Sequence, residues 1–244
     1  HNKYKDIQFE YNPHHANENI FKKINLEKDI DILIAGVTKE KHYPLKARLL
    51  KLINKNKKTK LKEFKIKHLE HPGYWHDDSF TNKIQKNYAN LINRSKICIA
   101  CTSKHKYRLG KYVEIPMCGG VIFGDLPYED KESFKEFVIE VNNEMTDDQI
   151  LNKLIISLKN KNLLERKGNA GYKWAKQYTT SKYCDKLIDQ LKNYKKSNKI
   201  YIISDEIRDN HPEFKNQKWI CDILKQDFIN KYPDKITLDA SKAD

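Results

Sequence analysis

The stretch that decides the fold is residues 111–125, which read Lys-Tyr-Val-Glu-Ile-Pro-Met-Cys-Gly-Gly-Val-Ile-Phe-Gly-Asp. Its apolar run Val121–Phe123 is closed by a Gly-Asp-Leu-Pro turn signal, which predicts a buried parallel strand. Gly119-Gly120 leads into this strand, and glycines permit a positive φ and the close approach of a ligand. Lys111 and Glu114 stand one helical turn apart, and such a carboxylate suits sugar or ribose hydroxyls while nearby cations suit phosphate. A helix-to-strand turn that needs small residues is the alternative interpretation of the glycines.

Similar apolar runs recur along the chain and alternate with amphipathic helical patterns. Strands are predicted at about 31–37, 64–69, 97–102, 120–125 and 136–141. This alternation predicts an α/β fold, namely a doubly wound, mainly parallel Rossmann-like sheet with helices on both faces. Ligands bind such sheets at the carboxyl ends of the strands. We expect Gly36, the His71–Gly73 turn, the Lys104–Lys111 loop and Gly119–Gly120 to converge there.

The first predicted strand leads into a glycine, a loop and a helix. Pro44 opens that helix, with Leu45, Leu49, Leu50 and Ile53 at helical spacing. Such a unit presents backbone N–H groups to a phosphate, and Lys46 and Arg48 add cations there. The alternative is that both side chains face solvent. The chain contains neither a G-x-G-x-x-G fingerprint nor a P-loop.

Three motifs carry a resemblance to a known family. They are Tyr43-Pro-Leu-Lys-Ala-Arg48, the Glu114 helix that runs into Cys118-Gly-Gly120 and a Val/Ile strand, and Gly171-Tyr-Lys-Trp174 followed by Thr179-Thr-Ser181. Over about residues 29–192 the chain resembles the C-terminal, donor-binding half of GT-B glycosyltransferases of the group-1 and CgeB-like kind.

The resemblance implies a domain that binds a nucleotide-diphosphate sugar. Glu114 would take the ribose hydroxyls, and Arg108 with Lys111, or Lys46 with Arg48, the diphosphate. The full set of donor-binding residues implied is Gly36, Lys46, Arg48, His71, Gly73, Lys104, Arg108, Lys111, Glu114, Gly119 and Gly120. The resemblance also implies that transfer needs no cofactor and no metal, and that the acceptor is a glycan, protein or lipid.

The chain departs from this family at one position. Many retaining members carry two Glu residues with seven residues between them. Glu114 corresponds to the second of these, whereas Lys106 stands at the position of the first. CgeB-like relatives share this departure. The catalytic residues and the stereochemical outcome therefore stay open.

The charge balance supports a second hypothesis. The formal net charge is +14 over 244 residues, and residues 55–67 form a basic run. A non-catalytic module that binds nucleic acid or another polyanion is the alternative function. The run lacks interleaved aromatic residues for base stacking, which favours a solvated loop.

The cysteines argue against a disulfide framework, because there are five of them and they are scattered. Cys98 and Cys101 lie in a predicted strand and would face opposite ways, which disfavours a zinc or redox motif. These features predict a reducing, cytoplasmic location. No apolar run reaches the length of a membrane span. His71, His76, Asp77 and Asp78 have no metal-binding spacing, and His14-His15 is interpreted as a solvated pair.

Domain boundaries are predicted from changes in composition. Residues 1–28 form a polar lead-in, 29–195 the nucleotide-sugar-binding domain, and 199–244 either the start of a second α/β unit or a tail that packs back on the first. Thr146-Asp-Asp-Gln149 is a capping box that starts a helix. The chain begins at His1 rather than Met, which suggests a piece of a longer polypeptide whose other domains supply the acceptor site.

Overall fold

A computed structural model describes residues 12–73, 78–193, 200–201 and 236–237. The chain divides into two compact units. The first comprises His1–Pro72 and Asp78–Lys186, and the second comprises Gly73–Asp77 and Leu187–Asp244.

The first unit is built on a five-stranded sheet in which every neighbouring pair of strands is parallel. Its strands are β1 (Ile30–Ala35), β2 (Ile66–Leu69), β3 (Ser95–Ile99), β4 (Val121–Gly124) and β5 (Val138–Glu140), in the order β2-β1-β3-β4-β5. Every residue of β1 and β4 is buried, as expected for continuous apolar strands covered on both faces. The predicted doubly wound, parallel sheet is therefore confirmed.

Seven helices connect or follow these strands in the described part of the chain. They are α1 (Pro44–Asn56), α2 (Asp78–Asn93), α3 (Lys111–Met117), α4 (Lys131–Phe137), α5 (Asp147–Lys159), α6 (Lys161–Ala175) and α7 (Thr180–Asn193). The predicted capping box is present, because Thr146 Oγ1 accepts from Gln149 N and Gln149 Oε1 accepts from Thr146 N. The short helix α4 was not predicted, and it occupies the first residues of the strand expected at 136–141.

Two apolar cores lie on opposite faces of the sheet. One contains side chains of α1 and α5, such as Leu49 and Leu154, and the other contains side chains of α2, α3, α4 and α6, such as Tyr112 and Phe134. Cys98 belongs to the second core and Cys101 to the first, so the two thiols do face opposite ways. The described cysteines, Cys98, Cys101, Cys118 and Cys184, are free.

The described part of the N-terminal segment, predicted as an irregular lead-in, packs against the first unit. Ala16 forms a parallel β-bridge with Thr179, and Ala16 N donates to Tyr178 O at 3.0 Å. Phe21 is 3% exposed, with its ring 6.1 Å from that of Tyr88. The sequence signal is weak because the packing relies on backbone bonds and isolated apolar residues.

The second unit contributes two short strands to the described residues. They are β6 (Ile200–Tyr201) and β7 (Ile236–Thr237), which pair in parallel. The residues between these two strands lie outside the described residues. Within the described residues, no helix has the length and apolar character needed to cross a membrane.

Candidate ligand-binding site

The strand order of the first unit creates a crevice at the carboxyl ends of β1 and β3. The chain steps from β1 to β2 on one side and then returns to place β3 on the other side of β1. The helix after β1 therefore covers one face of the sheet and the helix after β3 covers the opposite face. A crevice outside the carboxyl ends of β1 and β3 is where open α/β sheets bind ligands. The two loops that border it are joined, because Lys104 N donates to His42 O at 2.9 Å.

Two lysines from opposite faces of the sheet meet in this crevice beside Gly36. A Cβ atom built on Gly36 would lie 3.1 Å from Lys111 Cε and 3.8 Å from Lys46 Nζ. Gly36 has a φ of +83°, a conformation that glycine adopts without strain. The absence of a side chain leaves room at the strand end next to both ammonium groups.

Lys46 does not face solvent, although it lies on a surface helix. Its side chain runs under α1 and is 3% exposed, and Nζ donates to the carbonyl of Ala35 at the end of β1. Within the described residues, neither Lys46 nor Lys111 has a carboxylate oxygen within salt-bridge distance. The solvent-facing interpretation is therefore wrong for Lys46.

The electrostatics of the crevice favour an anion. Burial, together with the smaller effect of the nearby charge of Lys111, lowers the pKa of Lys46 to about 7. Burial also lowers the pKa of Lys111, and this effect is partly offset by Glu114. The ammonium of Lys111 lies 4.2 Å from the centre of the Tyr88 ring, a cation–π contact. When both lysines are protonated, their combined charge exceeds that of Glu114, the carboxylate that acts on Lys111.

Glu114 supplies that carboxylate from α3, one helical turn after Lys111. Burial raises the pKa of Glu114, and the charge of Lys111 opposes the shift. A Cβ atom built on Gly110 would lie 3.4 Å from Glu114 Oε1, so the carboxylate lies near the start of its own helix. Lys111 and Glu114 thus stand one turn apart on α3, as the sequence spacing predicts, and their roles toward a ligand stay a prediction.

Sequence reasoning missed Asp125, which it treated as part of a turn. Its carboxylate, 4% exposed, accepts from Thr102 N at 2.7 Å, Thr102 Oγ1 at 2.6 Å and Lys106 Nζ at 2.6 Å. Its carbonyl accepts from Tyr112 OH at 2.5 Å. Asp125 therefore fixes both the loop after β3 and the helix that carries Lys111 and Glu114. An acidic residue directly after a buried strand was the available signal.

Other residues close to Asp125 have structural roles in the loop after β3 and in β4. Lys106 adopts a φ of +59° and is held by its ion pair with Asp125. Gly124 allows β4 to approach β3 closely, because a Cβ there would lie 1.7 Å from Ala100 O. Lys104 is exposed on the loop at the same edge of the sheet.

Arg108 lies on a different side of the α3 start from Lys111. Its guanidinium carbon lies 4.2 Å from the Tyr178 ring centre and 5.4 Å from that of Trp174, and Nη2 donates to His14 O at 3.2 Å. The residue is 4% exposed, and its Nε has no hydrogen-bond partner among the described residues. Arg108 therefore packs against the α6 end and the N-terminal segment rather than over Gly36.

Arg48 does not join Lys46. Its guanidinium lies 2.7 Å from Asp147 and donates to Met145 O at 2.7 Å and Asn143 O at 3.1 Å. These contacts tie α1 to the loop before α5. Lys46 and Arg48 are two residues apart on a helix, so their side chains point in different directions.

Gly119 and Gly120 lie at the wrong end of the sheet for the predicted convergence. They precede β4, at its amino end, whereas Gly36 follows β1 at the carboxyl end. Gly119 has a φ of +69° and donates to Pro116 O, while Gly120 N donates to Ile115 O, which is a Schellman cap on α3. A Cβ on Gly120 would lie 2.8 Å from Ile92 Cγ2. The helix-to-strand turn is thus the correct interpretation.

His71 and Gly73 follow β2. His71 is exposed beyond the carboxyl end of that strand, and Gly73, which has a φ of +100°, belongs to the second unit. Among the described residues, no group of three or more His, Cys, Asp or Glu side chains is placed to hold a metal ion. His76 and Asp77 lie outside those residues.

Comparison with known proteins identifies similar folds but no sequence relatives. No protein-family model matches the chain, and no curated protein sequence matches it. Sucrose-phosphate synthase from Thermosynechococcus elongatus matches 74% of this chain and 52% of its own, with a TM-score of 0.52 and 11% identity. The pneumococcal O-GlcNAc transferase GtfA matches 73% of this chain and 38% of its own, with a TM-score of 0.49 and 15% identity.

A third solved structure is itself a single domain. The C-terminal domain of a group 1 family glycosyl transferase from Francisella tularensis matches 68% of this chain and 99% of its own, with a TM-score of 0.45 and 13% identity. This chain therefore spans only part of the larger proteins that it resembles in structure. The sucrose-phosphate synthase match shows that the chain shares its α/β fold with part of that protein.

Proposed function

We propose that the first unit binds the nucleotide-diphosphate sugar from which a glycosyltransferase transfers its sugar. One observation supports this proposal above all others. Lys46 and Lys111 meet beside Gly36, at the point where the strand order reverses between β1 and β3, and Glu114 lies one helical turn from Lys111. Ligands of α/β sheets bind at this point, and the charge excess there suits a diphosphate.

Each of these residues has a distinct role in the proposal. Gly36 lets the diphosphate approach the end of β1, where Lys46 and Lys111 bind its oxygens. Glu114 accepts hydrogen bonds from the ribose hydroxyls. Asp125 contacts no ligand and acts as a positioning residue for the loop and for α3.

The proposed chemistry is sugar transfer assisted by charge neutralisation. The bond between the anomeric carbon and a diphosphate oxygen breaks, and a bond from an acceptor oxygen to that carbon forms. The diphosphate leaves with the bonding electrons, and two ammonium groups stabilise that developing charge as a metal ion would. We further propose that the whole protein supplies the acceptor site and the base that takes the acceptor's proton, and that it is CgeB-like.

The alternative, a module that binds polyanions, is favoured by a separate observation. Several lysines after α1 are exposed, including Lys57, Lys58 and Lys62, and they add to the net charge of +14. Such a surface attracts nucleic acid through its phosphates without using the crevice.

Thermal unfolding in the presence of UDP, GDP and several nucleotide sugars tests the proposal. A nucleotide present at one hundred times its Kd should stabilise the protein by about 2.7 kcal/mol. Glu114→Ala should remove most of this stabilisation, whereas Glu114→Gln should retain part of it because an amide oxygen still accepts a hydrogen bond. Glu132→Ala is the matched control, since Glu132 is exposed and pairs only with Lys135 across one helical turn. Absence of stabilisation by every nucleotide would contradict the proposal.

A further inference from the structure

The crevice holds two ammonium groups that lack a full set of counter-charges. Lys46 reaches it from α1 and Lys111 from α3, and both lie beside Gly36. The hydrogen bond from Lys46 Nζ goes to a neutral carbonyl, Ala35 O. Like charges brought together in a buried site disfavour their joint ionisation.

Charged and titratable groups approach Lys46 and its neighbour Lys111 from α3, from α2 and from the residues after β3. Lys111 acts on Lys46 from α3, Glu114 acts on Lys111 from the same helix, and Tyr88 of α2 packs against Lys111. After β3 the thiol of Cys101 lies near Lys46, and its pKa is raised by burial and by Asp125. Asp125 itself is bound to Lys106.

The charge of Glu114 acts on Lys111, whose pKa it raises against the effect of burial. The charges that shift the pKa of Lys46 are instead those of Lys111 and Cys101. A bound anion would supply the missing negative charge directly beside Lys46.

We propose that, above neutral pH, binding of a diphosphate in this crevice takes up one proton at Lys46, so that the lysine pair then carries both charges only when the anion is present. The inference rests on the proposed function and concerns how pH regulates that same site. It makes the crevice a binding site whose affinity for nucleotide-diphosphate sugars falls as the pH rises.

The direction of this dependence follows from linkage. Burial and Lys111 hold the pKa of free Lys46 at about 7, and an adjacent diphosphate raises it. A ligand that raises a pKa must bind the protonated form more tightly. The apparent Kd should therefore rise about eightfold between pH 7.5 and pH 8.5.

Isothermal titration calorimetry measures the proton directly. A nucleotide sugar that binds the full 244-residue chain is titrated in buffers of different ionisation enthalpy, such as HEPES and Tris. A nucleotide sugar is preferred to UDP because its diphosphate has no terminal phosphate that itself titrates near neutrality. We expect uptake of about 0.9 proton per ligand at pH 8 and about 0.1 at pH 6.

Three substitutions assign the proton to Lys46. Lys46→Arg is permanently charged and should bind the nucleotide sugar without proton uptake. Lys46→Met is neutral and similar in length, so it should bind more weakly, with no uptake and no dependence of affinity on pH over this range. Lys51→Met is the matched control on the same helix, since Lys51 is exposed and pairs with Glu40, and uptake should remain as in the wild type.

A second readout does not depend on whether the arginine variant folds. In an NMR titration of lysine ¹³Cε resonances, the signal lost in Lys46→Met should titrate near pH 7 in the free protein and above pH 9 with nucleotide sugar bound. Nucleotide-sugar binding with no proton uptake would overturn this inference and leave the proposed function standing. Failure of every nucleotide sugar to bind would overturn both.

Discussion

At the scale of single residues, Asp125 has the largest structural role among the residues of the site. Its carboxylate is buried, and it satisfies a backbone N–H, a hydroxyl and an ammonium on the loop after β3. Removing one partner from such a network leaves the remaining polar groups buried and unpaired, which costs more than the network contributes when intact.

We therefore expect Asp125→Ala to lower the free energy of unfolding by about 3 kcal/mol or more. Asp125→Asn should cost less, because its amide oxygen can still accept from Thr102 N. The matched control is Asp148→Ala, whose exposed ion pair with Lys60 should contribute less than about 1 kcal/mol. Urea denaturation of the three variants measures these differences, and equal losses for Asp125→Ala and Asp148→Ala would contradict the assignment.

Predictions for single residues succeeded where the spacing of two residues along a helix determines the directions of their side chains. Lys111 and Glu114, one turn apart on a helix after a strand, were correctly expected together at the crevice. Lys46 and Arg48 were treated as one pair, but a two-residue spacing on a helix separates side chains by roughly half a turn. Their different environments depend on what packs against each helix face, which one sequence does not reveal.

At the scale of elements, the turn between α3 and β4 is defined by its glycine cap. Gly119 has a φ of +69° and ends α3 with the paired backbone bonds of a Schellman motif. A residue with a Cβ atom is strained in this conformation.

Gly119→Ala should therefore lower the free energy of unfolding by about 1–2 kcal/mol. It should leave the Kd for a nucleotide sugar unchanged, because Gly119 lies at the opposite end of the sheet from Gly36. Denaturation and calorimetry on the same variant separate the two effects. A large loss of affinity at unchanged stability would restore the donor-binding role expected from the sequence.

A second prediction concerns the two histidines of the N-terminal segment and the dependence of stability on pH. Burial lowers the pKa of His14, with a further effect of Arg108, and burial followed by the charge of His14 lowers the pKa of His15. His15 also stacks on Tyr183 with ring centres 4.1 Å apart. The folded state thus binds fewer protons than the unfolded state below the ordinary histidine pKa of about 6.5.

Stability should consequently fall as the pH decreases from about 7.5 towards 5.5, because the unfolded chain takes up more protons over this window. The double variant His14→Gln/His15→Gln should show a shallower dependence of melting temperature on pH. His68→Gln, an exposed histidine on β2, is the control and should keep the wild-type dependence. An unchanged slope in the double variant would show that this segment does not respond to pH.

Elements with strong periodicity were predictable, and those defined by context were not. The apolar run of β1 and the capping box of α5 both carry local signals, and both were located correctly. The seven-residue helix α4 has too few positions to show a period of 3.6 residues. The docking of residues 12–21 depends on backbone bonds of Ala16 to the α6–α7 turn and on the Glu18 carboxylate, which accepts from Thr180 N and Ser181 N. These contacts join positions far apart in the sequence and leave no local pattern.

At the scale of the whole molecule, alternating strand and helix signals were sufficient to predict a doubly wound parallel sheet, because right-handed crossovers restrict the topology. The strand order itself was not predicted, yet it decides the site by placing the reversal between β1 and β3. Because the sequence does not reveal that order, residues from opposite ends of the sheet, Gly36 and Gly119, were assigned to one site. The chain spans about half of the sucrose-phosphate synthase that it matches. The acceptor chemistry of the whole protein is therefore a proposal.

The net charge of +14 attracts polyanions in general. The salt dependence of binding distinguishes this attraction from a nucleotide site. Binding to an RNA or DNA oligonucleotide should weaken about a hundredfold or more between 50 and 200 mM salt, since each phosphate contact releases counterions. Binding of a nucleotide sugar should weaken less than about tenfold, because fewer charges are involved. Glu114→Ala should abolish the second interaction and spare the first. Fluorescence anisotropy with labelled oligonucleotides and calorimetry with nucleotide sugars, each at both salt concentrations, provide the comparison. Oligonucleotide binding that weakens steeply with salt and is lost in Lys57→Gln/Lys58→Gln, with no binding of nucleotide sugars, would instead identify the protein as a polyanion-binding module.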